Sequence, residues 1–238
     1  MLFPHDIIEH IVSCAHWADR LVRADLIAGI VVSENDYTSN FTGAFRREIH
    51  ARAIPGLTAK IQVLNPSAER ELGADACVIL QNSKAFKAGI FEAKWPRLST
   101  HVNTWDSKQK SSGESHFYTQ LQRQHIQRNY VAIWEMFYCE YPFGSQPSYM
   151  LEEGSACVWH DHAYKFSSSR SSNIAPWTDD ELRALLESHA LPIGEVIRAM
   201  CNCTQGKPIP KGRYEKAFGD MGAPHSALII SYSPDGQQ

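Results

Sequence analysis

Several things are missing from this chain, and each absence narrows what it can be. No apolar run is long enough to cross a bilayer: the longest, residues 26–32, is seven residues, against the roughly 20 that a membrane helix needs. No signal peptide is legible at the N-terminus. There is no excess of positive charge, with 23 Lys and Arg against 26 Asp and Glu and a formal net charge of −3. Any contact with nucleic acid must therefore come from a local patch and not from the whole surface. The six cysteines, Cys14, Cys77, Cys139, Cys157, Cys201 and Cys203, follow no disulfide-framework spacing. They are expected to be reduced and buried in a cytoplasmic protein. No internal repeat is visible.

What is present suits a folded α/β chain. Of 238 residues, 43% are hydrophobic and 11% aromatic, enough for one large domain or a core with an appended part. The stretch that stands out is residues 73–94. Val78, Ile79 and Leu80, then Ile90 and Phe91, read as short buried strands, with Gln81, Asn82, Ser83 and Lys84 as the turn between them. A hairpin that pairs Asp75 with Glu92 centres between Ser83 and Lys84, inside that turn. Strand side chains alternate, so Lys94 shares the face of Glu92 while Phe91, Ala93 and Trp95 face the other way.

Two carboxylates and one amine at the open end of an apolar hairpin suggest a limited chemistry. Adjacent carboxylates repel, and a hard divalent cation relieves that repulsion. Mg²⁺ is commonly held by one or two carboxylates plus water and phosphate oxygens. A nearby ammonium can orient or activate water and offset charge at phosphorus. The bland alternative is an exposed Glu–Lys pair on an edge strand, worth little.

The spacing Asp75, then Glu92-Ala93-Lys94, resembles the PD-(D/E)XK nuclease superfamily, although Ala74 stands where that family often has proline. The element order over residues 33–139 resembles it too: helix, strand, strand with Asp, strand with Glu-x-Lys, helix, strand. The resemblance implies an α/β fold with a mixed central β-sheet flanked by helices. Its restriction-endonuclease-like αβββαβ core would span residues 33–142, after an N-terminal helical segment (1–32) and before a C-terminal α+β extension (143–238). It implies a Mg²⁺-dependent endonuclease acting on DNA, with Mn²⁺ able to substitute, in restriction or antiviral defence. Asp75, Glu92 and the Ala93 carbonyl would hold the metal, and Lys94 would position or activate water. Glu34, near the start of the preceding helix, would add a third carboxylate. The helix dipole explains an acidic residue there equally well, and Glu48 is the runner-up. Gln120, with Gln124 in reserve, would lie near the attacking water, or both simply face solvent. Cutting two strands takes two sites, so a homodimer or a partner protein of a defence system is a further expectation. Two other readings stay open: a catalytically inactive module that binds nucleic acid or a protein, and an RNA-directed nuclease.

The remaining segments carry weaker signals. Residues 5–32 have helical apolar spacing, and Ser33 with Asp36 makes a capping-box variant. Residues 97–114, polar and holding Lys108 and Lys110, read as a mobile loop. Residues 117–128 read as a polar helix with Arg123 and Arg128 as candidate phosphate contacts. Residues 130–138 form a nearly continuous apolar strand interrupted by Glu135, for which the sequence suggests no role. Residues 148–166 read as a hairpin turning at Glu153 and Gly154. Thr178 and Glu181 form a capping box for a helix, a second helix spans residues 193–201, and residues 227–232 return to a sheet. His160, His162, Cys201 and Cys203 either bind zinc or only pack. Lys207, Lys211 and Arg213 either grip a phosphate backbone or are solvated.

Overall fold

The structure, a computed structural model, describes residues 1–64, 75–101, 103–212, 214–218 and 226–234. Two helices open the chain. α1 (His5–Ile27) buries Ile7, Ile8, Ile11, Val12, Ala15, Val22 and Leu26 along one stripe, the spacing that an amphipathic helix requires. α2 (Glu34–Ala51) starts where Ser33 Oγ accepts the Asp36 N–H at 3.1 Å, and it buries Tyr37, Phe41, Phe45 and Ile49.

Strands β1 (Leu57–Val63), β2 (Ala76–Gln81), β3 (Ala85–Lys94), β4 (Ala132–Phe137), β5 (Ala156–Trp159), β6 (Ile209–Pro210) and β7 (Ser226–Tyr232) form one mixed sheet. Between them run α3 (His116–His125), α4 (His160–Ser169), α5 (Asp179–His189) and α6 (Ile193–Cys201). The sheet order is β1-β7-β2-β3-β4-β5, with β6 against the start of β3. The chain order α2, β1, β2, β3, α3, β4 is the one the sequence suggests. The C-terminal strand does more than return to the sheet: β7 lies between β1 and β2, antiparallel to the first and parallel to the second. Its unbroken apolar run suits that place. Leu228 and Ile230 enter the core under α1, α2 and α6, while Ala227 and Ile229 enter the core on the opposite face.

Two segments depart from expectation. Residues 148–166 form no hairpin; β5 pairs antiparallel with β4 and runs straight into α4. Gly154 serves close approach instead of a turn, since a Cβ there would lie 2.4 Å from Asp19 Oδ2. Asp19, buried in α1, accepts bonds from Tyr37 Oη at 2.8 Å, Ser155 N at 2.6 Å and Ser155 Oγ at 2.6 Å. Beside it Arg23 donates to the carbonyls of Leu151, Glu152 and Gly154. The segment is pinned to α1 by buried polar groups, an order that apolar periodicity cannot reveal.

The polar stretch 97–114 is also packed instead of free. Trp105 sits among Phe117, Phe137 and Trp177, with ring centroids 5.1, 5.5 and 6.3 Å away. Asp106 accepts from Ser115 Oγ, Phe117 N and Trp177 N, so it ties the loop to the start of α3 and the approach to α5. One half-buried tryptophan packed among aromatic rings outweighs the polarity of its neighbours.

Among the described residues no helix is long and apolar enough to cross a membrane. Gly154→Ala should cost about 1–3 kcal/mol, because neither the anchored Asp19 carboxylate nor the backbone can yield cheaply. Urea denaturation of the variant measures this, and an unchanged midpoint would contradict the account.

Candidate active site

The site begins with strand register. Ala76 pairs with Phe91 and Gln81 with Phe86, so Asp75, the residue just before β2, comes to the end of β3 that carries Glu92. The hairpin turn lies where it was expected, and Asn82 closes it by accepting the Lys84 and Ala85 N–H groups. Asp75 is fastened across the strands: its N–H donates to Phe91 O at 2.9 Å, and its Oδ2 accepts the Ala93 N–H at 2.9 Å. On one strand a residue's N–H and C=O point to the same side, so Ala93 turns its carbonyl toward Asp75. Lys94 Nζ donates to Glu92 Oε1 at 2.8 Å.

Glu34 reaches the same strand end from the other face of the sheet, accepting the Trp95 N–H at 2.8 Å. Ser33 aims it by fixing where α2 begins. Glu48 is excluded as its substitute. It lies fourteen residues further along the helix, about 21 Å at about 1.5 Å per residue. Trp95 Nε1 and Ser99 N both donate to Glu140, which holds the exit from β3.

β4 adds what the sequence left unassigned. β3 and β4 are parallel with Glu92 opposite Glu135, so a third acidic residue joins Glu92 and Asp75 at this end of the sheet. Glu135 is fully buried and neither of its oxygens has a hydrogen-bond partner. The nearest basic atom is His160 Nδ1 at 3.7 Å. That nitrogen also meets Gln124 Oε1 at 3.2 Å, and His160 Nε2 meets His125 Nδ1 at 3.2 Å. With two acceptors facing Nδ1, the proton of a neutral His160 belongs there, and Nε2 accepts from His125. Gln120 and Gln124 are both buried on α3; it is Gln124 that joins the acidic group, through His160. The signal for Glu135 was present in the sequence as a carboxylate inside a continuous apolar strand. Tyr138 was also missed. It stacks on Tyr37 at 3.7 Å, and burial with Glu34 and Asp75 nearby keeps its phenol protonated.

Electrostatics follow from this crowding. Burial pushes Glu92 up to about 8 in spite of Lys94, with Asp75 and Glu135 adding to the rise. Burial likewise pushes Asp75 up to about 6, although Lys94 and the Ala93 N–H oppose it. Asp75 has an open side to solvent, so the effect on Glu92 is the firmer one. Burial alone would lower Lys94, but Glu92 and Glu34 outweigh it and hold the ammonium above its ordinary value. Lys94 is therefore a fixed cation at neutral pH and not a general base, which narrows its expected role to positioning and charge stabilisation.

Among the described residues, no group of three or more His, Cys, Asp or Glu donors is placed to hold a metal ion. The set fits Mg²⁺ in its common mode, with one or two carboxylates from the protein and the remaining ligands from water and substrate. Asp75, Glu92 and the Ala93 carbonyl supply the oxygens. Glu135 stands beside this set, buried and with neither oxygen in a hydrogen bond.

The other candidates lie apart. Lys108, Lys110, Arg123 and Arg128 are exposed on the loop before α3 and on and just beyond α3. Lys211 bonds through its N–H to Lys84 O at the hairpin turn, the far end of β3. That is roughly 30 Å from Lys94 at about 3.3 Å per residue. Lys207 is exposed just before β6, and Arg213 lies outside the described residues. The zinc quartet does not assemble. His160 points inward from α4, His162 stacks on His189 at 4.1 Å, and Cys201 and Cys203 sit at the end of α6.

Comparison of the chain with family models, with curated proteins and with solved structures finds no match.

A carboxyl group raised on folding binds its proton more tightly in the folded state. Without divalent cation, the contribution of Glu92 to stability should be greatest below about pH 4.5 and fall as pH rises to about 8. Thermal unfolding in EDTA should show this fall, and Glu92→Gln should flatten it; parallel profiles would refute the shift. Glu135→Gln should leave the metal-free protein as stable or more so, by up to about 2 kcal/mol. A large loss would mean that the carboxylate is held by partners it lacks here.

Proposed function

We propose that this chain is a metal-dependent nuclease that hydrolyses DNA phosphodiester bonds. The observation that carries the reading is the hairpin end, where Asp75 is bonded to Phe91 and Ala93 on either side of Glu92 and the Lys94 ammonium lies 2.8 Å from Glu92. Glu34 supports it by arriving at the same strand end from α2. A solvated ion pair would not need two further carboxylates around it, nor would it be buried beside an unpaired one.

Bound between Asp75, Glu92 and the Ala93 carbonyl, Mg²⁺ would supply Lewis-acid stabilisation of the phosphate oxygens and a more acidic water. The protein's own groups do the rest. Asp75, fixed by the Ala93 N–H, and Glu92, fixed by Lys94, present oxygens in a set geometry. Lys94, permanently charged, orients the attacking water and faces the negative charge that develops at phosphorus. Glu34 holds the end of β3 through the Trp95 N–H, so its first duty is to position Lys94.

The exposed cations Lys108, Lys110, Arg123 and Arg128 suit a phosphate backbone entering from the α3 side. Six unpaired cysteines fit a reducing compartment, so we place the protein in the cytoplasm. Duplex cleavage would call for a homodimer or a partner protein, in a restriction or antiviral setting.

Purified protein should nick or linearise circular plasmid with Mg²⁺ or Mn²⁺ and not with EDTA. Lys94→Ala should keep its unfolding profile and lose at least about a hundredfold in rate; full activity in that variant would sink the assignment. Cleavage of single-stranded RNA but not of DNA would keep the chemistry and change the substrate. A folded protein that binds DNA and never cuts would favour the inactive-module reading.

A further inference from the structure

At the end of the sheet away from the carboxylates lies a cavity of about 460 Å³, within the range that small-molecule sites occupy. It opens between the start of β1, the end of β2 with its following turn, and the end of β7. Two lysines, Lys60 and Lys211, and His50 are among its lining residues, and among the described residues that line it none is acidic. In a chain with more acidic than basic residues overall, a concave surface with only cationic and neutral groups selects for an anion.

The polar wall is built and held. Gln81 Nε2 donates to Ser231 Oγ at 2.6 Å while its Oε1 accepts from Tyr214 Oη at 2.7 Å. Asn82 is tied on both sides, accepting two N–H groups of the turn and donating to Leu2 O at 2.8 Å. The apolar part of the lining is Ala59 and the Tyr232 ring, the latter fixed edge-on against Phe3 at 6.4 Å. Cations at the rim, hydroxyls and amides along the wall, and one flat aromatic face form a set of groups that matches a planar ring joined to phosphate.

We propose that this cavity is a binding site for a nucleoside phosphate. It stands apart from the carboxylates by the length of β3, and it does not depend on the nuclease reading.

The test is calorimetric titration with ADP in EDTA, so that no divalent cation can recruit the ligand to the acidic end. Adenosine and inorganic phosphate serve as the two partial probes. One ADP should bind per chain, more tightly than either fragment. The double substitution Lys60→Gln, Lys211→Gln should weaken it by about tenfold or more, with unchanged thermal unfolding. Both side chains are exposed, so the fold is not at risk. Lys165→Gln, which removes an exposed cation on α4, should leave the affinity as it is. Absence of saturable ADP binding at several millimolar would overturn the proposal. So would an affinity unchanged by the double substitution or lowered equally by Lys165→Gln, which would mark it as diffuse attraction.

Discussion

Three acidic residues gather at one end of the sheet, Asp75 just before β2, Glu92 in β3 and Glu135 opposite it in β4, and strand spacing of about 4.8 Å keeps them together. Like charges in facing strand positions are destabilising, and burial takes away much of the water that would screen Glu92 and Glu135. One ammonium, Lys94, offsets part of the charge. The register that brings them together is fixed elsewhere, by the turn at Asn82 and by apolar residues on both faces of the sheet, so the carboxylates cannot slide apart to relieve themselves. A one-residue slip would turn Val78 and Leu80 out of one core and into the other. The fold therefore imposes the crowding, and the crowding raises Glu92 and holds Lys94 charged.

Much of the remaining architecture secures that cluster. β7, wedged between β1 and β2, supplies apolar side chains to both faces and makes β2 an interior strand. α2 delivers Glu34 to the Trp95 N–H because Ser33 sets where the helix starts. Glu140 and the packed loop around Trp105 hold the exit from β3. From the other side, α3 and α4 close over Glu135 with Gln124, His160 and His125. An unpaired buried carboxyl group is a cost that packing alone gives no reason to bear, and such groups collect where function requires them.

How much was legible in the sequence depended on range. Local chemistry was readable: the Ser33 and Thr178 caps, the apolar spacing of α1, α5 and α6, and the hairpin whose turn residues bring Asp75 to the Glu92 end of β3. Glu34 followed from helix periodicity joined to a family resemblance. What failed was non-local. Nothing near residue 228 says that its strand lies beside β2, since strand neighbours are chosen by the whole core. Gly154 read as a turn because its real partner, Asp19, is 135 positions away in the chain. The loop before α3 read as mobile because one tryptophan among polar residues carries little weight in composition and much in packing. Glu135 was visible as an anomaly, but its role needed the β3–β4 register to bring it beside Glu92.

The claim that this cluster is a cation site is tested most directly by calorimetric titration of Mn²⁺ into metal-free protein, between pH 6 and 8.5, in two buffers of different ionisation enthalpy. If Asp75 and Glu92 are raised by their burial, Mn²⁺ must displace protons on binding. Affinity should then rise with pH up to about 8, the value to which Glu92 is pushed, and proton release should be clear near pH 7 and fade above that value. Absence of binding, or an affinity independent of pH with no proton release, would contradict the account.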